Sequence, residues 1–110
     1  MKNLKSVNLS NNKIETLENL AQLPNVEKFQ IDNNKLQNLQ GIEQLSNLTI
    51  LSCSNNQITD ISALEQLKKL ENLNLNKNQI QNIEQLQNNT NLKYLYLDNN
   101  YIFDFEILKN

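Results

Sequence analysis

Apolar residues recur along this chain as a composite pattern rather than with one continuous period. Leu4, Val7, Leu9, Ile14, Leu17 and Leu20 flank Asn12, and the same order returns as Leu48, Leu51, Cys53, Ile58, Ile61 and Leu64 about Asn56. The Asn-Asn pairs at 11–12, 33–34, 55–56 and 99–100 are separated by multiples of 22 residues, with Lys77-Asn78 in the remaining place. Self-similarity at such a fixed length marks a repeat architecture. It divides residues 1–110 into one domain of five 22-residue units, about 2–23, 24–45, 46–67, 68–89 and 90–110.

Two spacings alternate inside each unit. Val7-x-Leu9, Phe29-x-Ile31, Leu51-x-Cys53, Leu73-x-Leu75 and Leu95-x-Leu97 have period 2, which puts both side chains on one face of a short strand. After the Asn, apolar residues return every third position, as in Ile14, Leu17, Leu20 and Leu23. An α-helix at about 100° per residue would rotate that series off any one face. A period of three suits short 3₁₀ turns or stacked loops, which persist only when neighbouring copies support them. The predicted fold is therefore an α/β solenoid in the broad sense, a right-handed coil of one turn per unit. A parallel β-sheet lines one face, and 3₁₀ turns or loops line the other.

Asn12, Asn34, Asn56, Asn78 and Asn100 follow the strand at the same place in every unit. A carboxamide offers both an acceptor and two donors where the chain leaves the sheet, so these five are expected to form a structural ladder. Their neighbours Asn11, Asn33, Asn55 and Asn99 are expected at the surface.

Composition narrows the function. Ten Lys and no Arg against twelve acidic residues leave a net charge of -2, so nothing supplies the cationic excess that nucleic acid or anionic lipid requires. The absence of His and a single Cys53 remove the usual general base and any cysteine metal cluster. No metal or other cofactor is implied, and no enzyme is expected. Cys53 occupies the place of Leu9, Ile31, Leu75 and Leu97 and reads as a small buried apolar residue. Glu15, Glu18, Asp60, Glu65, Glu84 and Glu106 scatter over the turns without a paired cleft. Asp32-Asn-Asn34 and Asp98-Asn-Asn100 begin like calcium loops, but Leu36 and Ile102 fill the fifth position and no glycine follows. Met1 to Ser10 lacks the apolar stretch of a signal peptide, which points to an intracellular, cytoplasmic protein, or a secreted one if a leader was trimmed.

The run Leu70-x-x-Leu73-x-Leu75-x-x-Asn78-x-Ile80-x-x-Ile83-x-x-Leu86 resembles the 22-residue leucine-rich repeat. Ser54-Asn-Asn-Gln-Ile-Thr-Asp-Ile-Ser-Ala-Leu64 looks like bacterial internalin repeats, and Leu36-Gln-Asn-Leu-Gln-Gly-Ile-Glu-Gln-Leu45 is similar to the phosphatase-regulator (Sds22-like) type. This resemblance covers the whole chain and implies a curved solenoid that binds another protein on its concave strand face. Asn89 departs from the pattern, since Leu23, Leu45 and Leu67 hold the same place. A buried Asn there must find a partner or turn outward. Neither end carries a recognisable polar capping segment, so the alternative expectation is a structural fragment or engineered segment that self-assembles as a homo-oligomer through its uncapped ends.

Strand alternation writes out the concave face as rows: Ser6, Lys28, Ile50, Asn72, Tyr94; then Asn8, Gln30, Ser52, Asn74, Tyr96; then Ser10, Asp32, Ser54, Asn76, Asp98. All three tyrosines fall in the last unit. Tyrosine is enriched at binding hot spots because it joins a large ring to a hydroxyl with few rotatable bonds. The candidate partner surface is Tyr94, Tyr96, Asp98 and Tyr101, extended by Ile50, Asp32 and Lys28. Phe103 falls at a normally polar position beside core Phe105, so the same aromatics also fit end-to-end contact. Five strands about 4.8 Å apart make a sheet roughly 19 Å wide. That is the low end for an interface of about 800 Å² per partner, so micromolar affinity is expected.

Overall fold

The computed structural model describes residues 3–103. Five three-residue strands recur at 22-residue intervals: β1 (Ser6–Asn8), β2 (Lys28–Gln30), β3 (Ile50–Ser52), β4 (Asn72–Asn74) and β5 (Tyr94–Tyr96). They form one open parallel sheet in sequence order, with Ser6, Lys28, Ile50, Asn72 and Tyr94 in register. Between the strands run 3₁₀ helices η1 (Leu20–Gln22), η2 (Ile42–Gln44), η3 (Ser62–Gln66) and η4 (Glu84–Asn88). The period-three apolar series thus becomes 3₁₀ turns, as its spacing predicts, and no α-helix forms among the described residues.

The core lies between the sheet and these turns. Phe29, Leu51 and Leu73 from the strand centres stack under Ile31, Cys53 and Leu75, and all six are fully buried. Ile42, Leu64 and Leu86 close the opposite side. Continuous stacking is necessary because one 22-residue coil cannot bury its own apolar face. In the first coil Leu4 and Leu9 keep 39% and 37% of their surface exposed, because β1 is paired only with β2.

The repeated asparagines have two distinct structural jobs. Asn56 Nδ2 donates to the carbonyls of Cys53 and Ser54 in its own turn and of Ile31 in the preceding coil. Its Oδ1 accepts from the Leu36 N–H of that preceding coil at 3.0 Å. Asn34, Asn78 and Asn100 repeat this set. Asn12 is exposed and, among the described residues, donates only within its own turn, to Leu9 and Ser10. Burying the carboxamide in this way satisfies backbone groups that the leaving chain would otherwise strand.

The first asparagine of each pair turns the chain. Asn11, Asn33, Asn55 and Asn99 have φ between 56° and 63°, as does Lys77. Asparagine enters this left-handed region more readily than other non-glycine residues. These side chains are exposed and form an outer row, with Asn33 Nδ2 donating to Asn11 Oδ1 and Asn55 Nδ2 to Asn33 Oδ1. On the convex side Gly41 takes φ 103°, and a Cβ there would lie 2.8 Å from the Leu17 carbonyl oxygen.

Asn89 is 4% exposed and has found donors' partners rather than turning outward. Its Nδ2 donates to the carbonyls of Leu64 and Leu67 at 2.9 and 3.0 Å. Its Oδ1 accepts from no donor among the described residues. Phe105 and Glu106, discussed above from the sequence, lie outside the described residues.

Candidate protein-binding face

Strand geometry decides which side chains reach this face. Residues 7, 29, 51, 73 and 95 point into the core, so their neighbours at 6 and 8 and each 22-residue equivalent point out. Tyr94 and Tyr96 therefore stand side by side on β5, with 56% and 45% of their surfaces exposed. Asn72 and Asn74 on β4 lie directly beside them. Asn74 Oδ1 accepts from the Asn76 N–H at 3.0 Å, and Asn76 Oδ1 accepts from the Asp98 N–H at 2.7 Å. This small amide chain ties the end of β4 to the exposed Asp98 beyond β5.

Ile50 and Lys28 share the row of Tyr94, two and three strands away, or roughly 10 and 14 Å at ordinary strand spacing. Ile50 is half-buried and Lys28 exposed. Asp32 is half-buried and already engaged: its Oδ1 accepts from the Ser52 hydroxyl at 2.7 Å and from the Ser54 N–H at 2.8 Å. Its carboxylate braces the third row across β2 and β3, a role that alternation alone does not reveal.

Tyr101, 62% exposed, is set apart from the other tyrosines. It follows the turn at Asn99 and Asn100, and its N–H donates to the Ile80 carbonyl. Lys35, Gln57 and Gln79 make the same bond to Ile14, Leu36 and Ile58. Tyr101 thus belongs to a flank row one bend away from the concave rows. Phe103, 81% exposed, lies two residues further on.

Charge on the rim is modest. Lys5 pairs with Glu27 at 3.8 Å and Lys93 with Glu71 at 3.7 Å, all well exposed, so each ion pair adds little stability. Beneath the face, burial and then the nearby Asp32 charge push the Cys53 thiol far above its ordinary range. It remains a neutral thiol that acts as a core side chain. Among the described residues, no three acidic or sulfur ligands converge on a point that would hold a metal ion.

Comparisons with known proteins agree with this geometry. The family model for leucine-rich repeats in two copies matches residues 2–45, 46–88 and 68–110. A search of curated protein sequences returned no significant match. Among solved structures, internalin C2 of Listeria monocytogenes is 33% identical with a TM-score of 0.94, covering 99% of this chain and 48% of its own. A Leptospira interrogans leucine-rich repeat protein is 38% identical with a TM-score of 0.84, covering 93% of this chain and 27% of its own. Internalin InlF of Listeria monocytogenes is 35% identical with a TM-score of 0.72, over 90% of this chain and 36% of its own. The chain spans at most about half the length of these structures. With five in-register strands, a stacked apolar core and an asparagine at every turn, the chain belongs to the leucine-rich repeat family, with repeats resembling those of the internalins.

Proposed function

We propose that this protein is an interaction module that holds a partner protein against the concave sheet face, anchored at its β5 end. Leucine-rich repeat proteins generally serve as protein-interaction modules. The observation that carries the reading to this face is the exposure of Tyr94 and Tyr96 side by side. Apart from Ile50 the face is polar, so these two rings are its largest apolar area, and desolvating such rings is a principal source of interface energy. Ile50 and Lys28 extend the contact along the same row, and Asp98 adds a charged edge. Asp32 contributes through the shape it gives the third row.

The test begins with selection of a partner by affinity capture, followed by titration of the purified pair. Tyr94→Ala with Tyr96→Ala is expected to weaken binding by about 2–4 kcal/mol, in the range of hot-spot truncations, with thermal stability little changed. Gln44→Ala with Gln66→Ala, on the exposed convex turns, should leave affinity unaltered. Equal losses from both pairs would remove the concave face from consideration. A change in the protein's own mass upon the tyrosine substitutions would instead indicate self-association.

A further inference from the structure

Coils inside the stack bond to a neighbour on each side in one repeated pattern. The Leu75 N–H donates to the Tyr96 carbonyl of the following coil and the Lys77 N–H to that of Asp98, as Leu9 and Asn11 donate to Gln30 and Asp32. In return, the Lys93 N–H donates to the Glu71 carbonyl of the preceding coil and the Tyr101 N–H to that of Ile80. The two outer coils present the same groups with no partner among the described residues. On the β5 side these are the N–H groups of Leu97 and Asn99 and the carbonyls of Lys93 and Ile102. On the β1 side they are the N–H groups of Lys5 and Lys13 and the Asn8 carbonyl.

Asn12 is the most telling of them. Its Nδ2 donates to Leu9 and Ser10 at 2.9 and 3.2 Å, as Asn34 Nδ2 does to Ile31 and Asp32 at 3.1 and 3.0 Å. Asn34 also bonds the coil before it, through the Leu9 carbonyl and the Ile14 N–H. Asn12 has no counterpart to that second pair among the described residues. Its carboxamide is thus held in the ladder pose with the inter-coil half open. Leu97 and Ile102 hold the places of Leu9 and Ile14 on the β5 side. The apolar groups match as well. Leu4 and Leu9 are exposed and Leu92 and Leu97 half-buried, whereas Leu70 and Leu75 between them are fully buried.

We infer that a second copy of this chain stacks on the first head to tail, its β1 side against the β5 side, repeating the contact between consecutive coils. Leu97 and Asn99 donate to Asn8 and Ser10 of the second copy, whose Lys5 and Lys13 N–H groups donate to Lys93 and Ile102. Its Asn12 completes the ladder set on Leu97 and Ile102. An unrelated strand could pair with the edge of β5, but it would not bring a carboxamide to Ile102 and leucines to Leu92 and Leu97 in one register. Stacking sets Lys93 beside Lys5 of the second copy. Each is already paired with a glutamate of its own chain, so the repulsion is modest and salt screens it. The two contacting surfaces differ, so association is heterologous and can continue past two copies. The contact runs along the edge of β5 and leaves the outward rings of Tyr94 and Tyr96 on the concave side, so this inference stands apart from the proposed partner site. A dissociation constant on the order of 100 μM is expected.

The test is analytical ultracentrifugation of the 110-residue chain from about 5 μM to about 1 mM, in about 0.5 M NaCl to screen the lysines. The mass should rise with concentration past two protomers. Leu9→Lys blocks the β1 side and Leu97→Lys the β5 side, and each variant alone should stay monomeric, with circular dichroism checking its fold. Mixed, each supplies the surface that the other lacks, and they should form dimers that grow no further. Asn12→Ala should weaken association roughly tenfold or more, the loss of two hydrogen bonds between copies, while the diluted protein melts close to wild type. This variant decides the matter if Leu97→Lys does not fold. The inference is overturned by a one-protomer mass up to about 1 mM, or by a blocked variant that pairs with itself. It is equally overturned if the mixture of folded variants stays monomeric, or if Asn12→Ala associates as tightly as wild type.

Discussion

Lys77 sits at φ 59° in a column otherwise made of asparagines. A lysine gains nothing in that left-handed conformation, whereas asparagine adopts it at lower cost and has an amide to share. Lys77→Asn is expected to raise stability by about 0.5–1 kcal/mol, through relief of backbone strain. It would also continue the outer row of Asn11, Asn33 and Asn55. Urea denaturation provides the check, and a destabilised variant would contradict the conformational argument. The inner column makes a sharper contrast. Asn56→Ala strands the buried Leu36 N–H and takes one of two amide donors from the Ile31 and Cys53 carbonyls, which keep Asn34 and Asn78, at about 1–3 kcal/mol by the cost of an unpaired buried group. Asn12→Ala should cost about 1 kcal/mol or less, since its two bonds stay within one exposed turn.

The turns show how far a repeat can be read before the backbone is known. Spacing distinguishes strand from 3₁₀ helix, because each places apolar groups at a different angular interval, and η1 to η4 fall where the threefold series predicts. The sign of φ is invisible to that pattern. The leading asparagine of each pair could have been identified from its chemistry, since Asn and Gly dominate left-handed positions. Gly41, the only glycine in the chain, carries the same signal: its φ of 103° and close approach to Leu17 leave no room for a Cβ. Among the candidate contact residues, the concave rows follow from alternation. The engagement of Asp32 with Ser52 and Ser54 does not, because it depends on side-chain reach across strands.

Asp60 illustrates a turn whose chemistry is titratable. Its Oδ1 accepts from the Ser62 N–H at 2.8 Å, as Asn38 accepts from Gln40 and Asn82 from Glu84. The backbone bond from Ser62, and then its side-chain bond, hold the Asp60 carboxyl below its ordinary value of 3.8. A folded-state pKa below the unfolded one stabilises the fold above the unfolded value. That contribution declines as pH falls through the folded value. Stability should therefore drop as pH falls below about 3.8. Asp60→Asn, which retains the acceptor found at Asn38 and Asn82, should flatten that part of the profile. Thermal melts of both proteins between neutral and acid pH test this, and identical slopes would assign the acid sensitivity elsewhere.

Over the whole molecule, dimensions of 40 × 28 × 18 Å describe a stack in which each coil touches mainly its neighbours. Stability should accordingly be unequal along the axis. Phe29, Leu51 and Leu73 are fully buried, while Val7 and Leu95 at the two edge strands are only partly so. Hydrogen exchange is expected to be slowest at Cys53 and Leu75, whose N–H groups donate to Asn74 and Tyr96 carbonyls. Exchange should be faster in the β1 coil. Uniform protection along the chain would show a single cooperative unit with no axial gradient.

Every bond made by Asn34, Asn56, Asn78 and Asn100 ends on a main-chain atom, half of them in the coil before and half in their own turn. Such a joint is blind to the identity of the side chains around it, so one coil can follow another whatever either displays to solvent. Duplication or loss of a 22-residue segment would restore the same joint at the seam. Inheritance can then lengthen, shorten or redecorate the recognition surface one coil at a time, while the grammar that joins the coils stays unchanged.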